Sequence, residues 1–180
     1  MKKPSELNLP NSITLLRIAA LPLCAYFLFK NGGHDSTWRI VAWWLFFIVG
    51  MTDFVDGKLA RSRGSVTEFG KLLDPIADKA LVGTAMIGLS LLGDMPWWIT
   101  VVILAREIGI TIVRLVVISG GVIAANRGGK IKTMVTSFGV GFYVLPLKES
   151  LFIYRDIFMY VGVVITLLTG ASYLFALRKR

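Results

Sequence analysis

Apolar residues run along this chain in six stretches, approximately Ile13–Phe29, Arg39–Leu59, Asp74–Leu92, Pro96–Ser119, Lys132–Leu147 and Ile157–Leu177. Each is close to the ~20 residues a helix needs to cross the hydrocarbon of a bilayer. Several contain Gly or Pro, which membrane helices tolerate because neighbouring elements re-satisfy the freed backbone groups. Polar turns, Asn31–Ser36 and Gly93–Pro96 among them, separate the stretches. The pattern predicts an all-α, polytopic membrane protein: one domain over residues 1–180, with six transmembrane helices.

Composition agrees. The chain is 55% hydrophobic, with a mean hydropathy of +0.69, and no linker, low-complexity tract or repeat divides it. The net charge of +9 would suggest nucleic acid in a soluble protein. In a membrane chain it orients helices and meets anionic lipid, so no nucleic-acid partner is expected. Lys2, Lys3, Arg61, Arg63, Lys71, Arg127, Lys130, Lys132 and Arg178-Lys179-Arg180 fall on one side of a six-crossing layout. Lys30, Arg39, Lys148 and Arg155 fall on the other. The first side is therefore expected to be cytoplasmic, with both termini on it, in a multi-pass protein of the inner (cytoplasmic) membrane.

The remaining isolated signals are bland. Lys2-Lys3 before an apolar run suggests a signal peptide, but the run is longer than an h-region and Arg17 interrupts it, so an uncleaved first helix is expected. Cys24 has no partner cysteine. His34, the one histidine, sits in a turn with no other ligands gathered around it. Trp38, Trp43, Trp44, Trp97 and Trp98 lie near the outer ends of two stretches, as interfacial anchors do.

Four aspartates disturb this hydrocarbon pattern. At 100° per residue, Asp53, Asp56, Gly57, Ala60 and Arg61 fall within about 80° of one direction on the second helix, and Asp74 and Asp78, four apart, share a face of the third. Folding the connection back brings two acidic pairs together near the cytoplasmic interface. At about 4 Å and an effective dielectric near 20, each like-charge pair costs roughly 4 kcal/mol. Protons, or Arg61 and Lys79, relieve part of that. A hard divalent cation, Mg²⁺, Mn²⁺ or Ca²⁺, does so better, and four carboxylates from two helices can hold two. Gly57 and Ala60 leave a hollow beside the acids, Arg61 offers a forked phosphate donor at its edge, and Gly70 sits one turn before Asp74. Intramembrane acids also serve as salt-bridge partners, proton relays or ion paths, so a divalent-cation transporter is the rival of a different class. Against it, the acids cluster on one side and no second copy of the motif appears in the other half.

The string Asp53-x-x-Asp56-Gly57-x-x-Ala60-Arg61, then Gly70, Asp74 and Asp78 at their present spacings, resembles the signature of the CDP-alcohol phosphatidyltransferases. The resemblance implies transfer of a phosphatidyl group from CDP-diacylglycerol to an alcohol, with CMP leaving. It implies two divalent cations, Mg²⁺ or Mn²⁺, held by Asp53, Asp56, Asp74 and Asp78, with Asp78 as general base. It places Gly57, Ala60, Arg61 and Thr67 at the nucleotide, with Asn11 and Thr14, before the first helix, as a further nucleotide-contacting element. Its members commonly form homodimers, and lipid tails would lie between the helices.

The acceptor is read from a second basic group. Arg106 and Glu107 lie well inside the fourth stretch, and Arg114, seven beyond Glu107, shares its direction within about 20°. Lys130 and Lys132 open the fifth stretch. Arg106, Arg114, Lys130 and Lys132 are candidates for one anion pocket, suited to an acceptor that itself carries phosphate. The strings Ala105-Arg106-Glu107-Ile108 and Gly129-Lys130-Ile131-Lys132-Thr133, with Asn8 to Arg17, are similar to the phosphatidylglycerophosphate-forming branch, whose acceptor is sn-glycerol 3-phosphate. Glu107 would hold an arginine in place. Alternatives within the family are a cardiolipin synthase and a phosphatidylinositol phosphate synthase. The bland alternative is a structural Arg106–Glu107 pair with Lys130 and Lys132 as positive-inside anchors.

Overall fold

The computed structural model describes residues 9–62, 67–117 and 127–178, and the described residues form helices and turns only. The helices are α1 (Leu9–Phe29), α2 (Ser36–Ser62), α3 (Glu68–Leu91), α4 (Trp97–Val117), α5 (Arg127–Val144) and α6 (Phe152–Arg178). Each apolar stretch coincides with one of them. At the end of the bundle carrying the acids the helices outrun the apolar stretches: α1 already includes Leu9, α3 begins at Glu68 and α5 already includes Arg127. Hydropathy marks the lipid-facing length, whereas capping decides where a helix starts. Asn11 and Thr14, expected before the first helix, therefore stand inside α1.

Helix starts have identifiable causes. Thr67 is in the extended conformation, and its hydroxyl accepts the Gly70 N–H at 3.0 Å, capping α3. The Asn11 amide donates to the same hydroxyl oxygen at 2.8 Å. A Cβ on Gly70 would sit 2.6 Å from Asn11 Oδ1, so the close approach of α1 to this cap needs glycine. Asp35 precedes α2 and accepts the N–H groups of Thr37 and Trp38 at 2.9 and 3.3 Å. The Asn31 amide and then the Trp38 N–H hold its carboxyl below the usual range.

Successive helices alternate in direction. The start of α2 meets the α3–α4 turn and the end of α5 through Arg39, whose Nη2 lies 2.6 Å from Asp94 Oδ2 and donates to the Tyr143 carbonyl at 3.1 Å. Nearby, Tyr143 donates its hydroxyl to Asp156 at 2.7 Å, and Arg155 pairs with the same carboxylate at 2.9 Å. Gly33, at φ +79°, packs so tightly on Leu92 that a Cβ would collide with it, which seats the α1–α2 turn on the end of α3. This half also holds the larger apolar core, with Leu28, Met86, Leu89, Ile99, Tyr143 and Met159 almost fully buried. A smaller cluster of Cys24, Val49 and Leu81 lies toward the acids.

The exterior is apolar and part of the interior is polar. Leu16, Leu91, Leu168 and Phe175 are each more than 60% exposed, while Asn11, Thr14, Arg17, Arg39 and Lys132 are buried. A bilayer reverses the usual pressure on the surface, and ionisable groups then face the bundle interior. Among the described residues, Asn11–Gly33 and Glu149–Tyr173 are long and apolar enough to cross a membrane by length and composition, each at a mean hydropathy of 1.8. Ser36–Thr52, the first part of α2, is apolar as well.

Two stability outcomes follow. Asp94→Ala strands the nearly buried Arg39 and should cost about 3 kcal/mol, at the lower end for a broken buried pair because the Tyr143 carbonyl remains. Thermal unfolding in detergent should show this loss, with partial recovery in Arg39→Met/Asp94→Ala; full additivity of the two changes would deny the pairing. Gly70→Ala gains about 1 kcal/mol of helix propensity but displaces the Asn11 amide from the cap, for a net loss of about 1 kcal/mol. A melting temperature above wild type would show that the α1–α3 approach can relax.

Candidate functional site

Three residues on one side of α1 fasten the acid-bearing helices. Asn11, Thr14 and Arg17 follow at intervals of three, each about 60° from the last, and are 3%, 1% and 2% exposed. Asn11 holds the Thr67 cap of α3. Thr14 donates its hydroxyl to Asp74 Oδ1 at 2.8 Å. Arg17 donates from Nε to the Thr52 hydroxyl at 3.2 Å, and Thr52 donates to the Val49 carbonyl at 2.6 Å. Thr52 immediately precedes Asp53, so α1 touches both acidic segments. Thr67, expected at a nucleotide, is 7% exposed and occupied as a helix cap.

Arg17, in the sequence an interruption of an apolar run and the end of the Asn8 to Arg17 string, carries no assigned role there. The available signal was its register: a charge three residues past Thr14 continues the polar stripe begun by Asn11. What it touches depends on the packing of α1 against α2.

On α3, Asp74 and Asp78 lie one turn apart and both are partly buried. Thr14 fixes the rotation of the Asp74 carboxylate, as outer partners of metal-binding carboxylates do. Asp53, Asp56, Gly57, Ala60 and Arg61 fall on helical backbone in α2, and α2 packs on both α1 and α3. Their side chains lie outside the described residues. Within the described residues no group of three or more His, Cys, Asp or Glu is close enough to hold a metal ion. The donor chemistry nonetheless fits a hard divalent cation: carboxylates only, two on each of two packed helices, with one carboxylate already oriented by a buried hydroxyl.

A cavity of about 580 Å³ opens beside these acids. Asp78, Lys79, Glu107 and Lys132 line one part of it; Phe29, Ile87 and Leu91 line the remainder, toward the other end of α3. That volume is typical of a small-molecule site, and its charged head on an apolar body suits an amphiphile. Glu107 Oε1 forms an ion pair with Lys132 Nζ and accepts from Arg106 Nη1 at 3.1 Å. Arg106 Nη2 donates to the Thr169 hydroxyl at 3.1 Å, and the arginine stem lies against Gly170.

The structure therefore divides the candidate acceptor residues. Lys132 faces the cavity. Arg106 belongs to the same charge cluster but points to α6 and does not line the cavity. Arg114 and Lys130 lie on α4 and α5, with side chains outside the described residues. Lys79, which shares the cavity wall with Asp78, reads in the sequence only as a partial neutraliser of the acids.

Comparison with known proteins gives the family. A family model described as CDP-alcohol phosphatidyltransferase matches residues 7–168. A Mycobacterium tuberculosis protein named "Probable phosphatidylglycerophosphate synthase" is 50% identical over 166 residues, covering 92% of this chain and 79% of that protein. A Bacillus subtilis protein named "CDP-diacylglycerol--glycerol-3-phosphate 3-phosphatidyltransferase" is 40% identical, covering 92% and 93%. A Rickettsia bellii protein of the same name is 37% identical, covering 96% of each chain. With the match spanning both acidic helices, the polar stripe of α1 and the cavity wall, this chain belongs to the CDP-alcohol phosphatidyltransferase family and is a membrane-embedded phosphatidyltransferase.

Proposed function

We propose that this enzyme transfers the phosphatidyl group of CDP-diacylglycerol to sn-glycerol 3-phosphate, forming phosphatidylglycerophosphate and CMP. The names of its relatives support the reaction. The observation that carries it in the structure is the cavity, where a carboxylate suited to take a hydroxyl proton and a buried lysine suited to hold a phosphate share one wall above an apolar volume.

In this reading the acceptor hydroxyl oxygen closes on the phosphorus nearest the diacylglycerol while Asp78 takes its proton. The bond from that phosphorus to the bridging oxygen breaks, and CMP leaves with the electron pair. Asp53, Asp56, Asp74 and Asp78 would hold two divalent cations, Mg²⁺ or Mn²⁺. When bound, these supply Lewis-acid neutralisation of the diphosphate and of the departing nucleotide. A carboxylate is a weak base at neutral pH, so orientation must contribute much of the rate. Thr14 contributes by fixing Asp74, and Asn11 and Thr67 by fixing the start of α3; in this role they support the nucleotide site bordered by Gly57, Ala60 and Arg61. Lys132 holds the acceptor phosphate, with Arg114 and Lys130 beside it, and Arg106 acts behind Lys132 through Glu107.

The setting is part of the proposal. Residues 1–180 form one domain that crosses the inner membrane six times, with both termini and the acidic site on the cytoplasmic side, as the distribution of lysine and arginine supports. Two copies assemble as a homodimer, as the family resemblance implies.

Purified enzyme given CDP-diacylglycerol and Mg²⁺ should release CMP with glycerol 3-phosphate. Release with phosphatidylglycerol or inositol phosphate, and none with glycerol 3-phosphate, would remove this acceptor. Asp78→Asn should lower kcat by about 10²-fold or more, as loss of a general base does, while CDP-diacylglycerol still binds. An equally severe loss of binding would make Asp78 chiefly a cation ligand.

A further inference from the structure

Resting on that acceptor reading, we infer that Lys79 and Lys132 together grip the phosphate monoester of the acceptor, and that Glu107 is the positioning residue that presets Lys132. Both lysines line the cavity that holds Asp78, one from α3 and one from α5. They differ in freedom. The Lys132 side chain is 7% exposed and ion-paired to Glu107 across the α4–α5 contact. Lys79 has a long, exposed 3.4 Å contact from Nζ to the Pro75 carbonyl of its own helix. One ammonium is held in place before the ligand arrives; the other can swing onto it.

Charge decides what the pair accepts. Behind the wall Arg106 offsets the charge of Glu107, which leaves the +2 of the two cavity-lining lysines, Lys79 and Lys132, with Asp78 counted among the cation-binding acids. A phosphate monoester carries between about −1.5 and −2 at neutral pH, because its second pKa is near 6. A lipid phosphodiester carries a single negative charge and leaves one lysine uncompensated. The wall thus favours a small monoester acceptor over a phospholipid one. Arg106, although charged, cannot take this role: its Nη1 and Nη2 go to Glu107 and Thr169, and it does not line the cavity. Glu107 also keeps Lys132 from folding toward the acids at the cavity head, since the same carboxylate oxygen receives both cations.

The test uses full-length enzyme in detergent micelles with CDP-diacylglycerol and Mg²⁺. Lys79→Gln should raise KM for glycerol 3-phosphate about tenfold or more while KM for CDP-diacylglycerol stays within about twofold; Lys79→Arg should remain within about threefold of wild type. Inorganic phosphate, as a competitor of glycerol 3-phosphate, should lose potency in Lys79→Gln by a similar factor. Glu107→Gln should raise the same KM, and Glu107→Gln/Lys132→Gln should be no worse than Lys132→Gln alone, because Glu107 acts through that lysine. Additive losses would make Glu107 a general structural residue and overturn its assignment. Normal wild-type turnover with glycerol 3-phosphate, combined with an unselective or absent effect of Lys79→Gln, would overturn the two-lysine grip and leave the acceptor standing. No wild-type turnover with glycerol 3-phosphate would remove both. Thermal unfolding of each variant separates these outcomes from a failure to fold.

Discussion

Carboxylates inside a membrane bundle repel one another and lose hydration, so something must hold their helices at a set distance before any cation or substrate arrives. Here that restraint is the polar stripe of α1. Asn11 braces the cap of α3, Thr14 orients Asp74, and Arg17 reaches Thr52 beside Asp53. All three are nearly inaccessible, so their hydrogen bonds act in a low dielectric, where a satisfied network is rigid and a broken one is costly. The position of the acids follows from these contacts, and the head of the cavity follows from the position of the acids.

The bundle consequently has two unlike halves. The half away from the acids is closed by apolar packing of Leu28, Met86, Leu89, Tyr143 and Met159 and by the Arg39–Asp94 pair. The half that bears the acids is bound by hydrogen bonds and ion pairs and holds the charged head of the cavity, which runs on along α3 toward the other half. This division suits a lipid enzyme. Apolar packing anchors the helices at one end, while the other places charged side chains at the head of a cavity whose wall along α3 is apolar.

Charge in the second basic region is organised by one acid. Glu107 gathers Arg106 and Lys132, and only the lysine reaches the cavity. An arginine in the middle of a helix reads as a ligand for phosphate until its partners are visible. Against Gly170 and Thr169 of α6 it is a brace between helices. Fully desolvated ions are tolerated only when paired, and the pairing determines which of them still faces a ligand.

Much of this protein was legible along the chain. The acids at their fixed spacings resemble the signature of the family that the family model matches, because carboxylates on adjacent helical turns with small residues beside them form a pattern seldom met inside an apolar stretch. The apolar stretches locate six helices, because a bilayer demands an apolar exterior whatever the helices do inside. What the residues could not disclose is which polar groups meet across helices. Asn11 and Thr14 inside α1, Arg17 against Thr52, Glu107 turned to Lys132, and Lys79 on the cavity wall are all settled by how helices rotate and pack. Register along one helix is a local property, written by the 3.6-residue repeat. Contact between helices distant in sequence depends on side-chain complementarity summed over the whole bundle, and that exists only once the chain has folded.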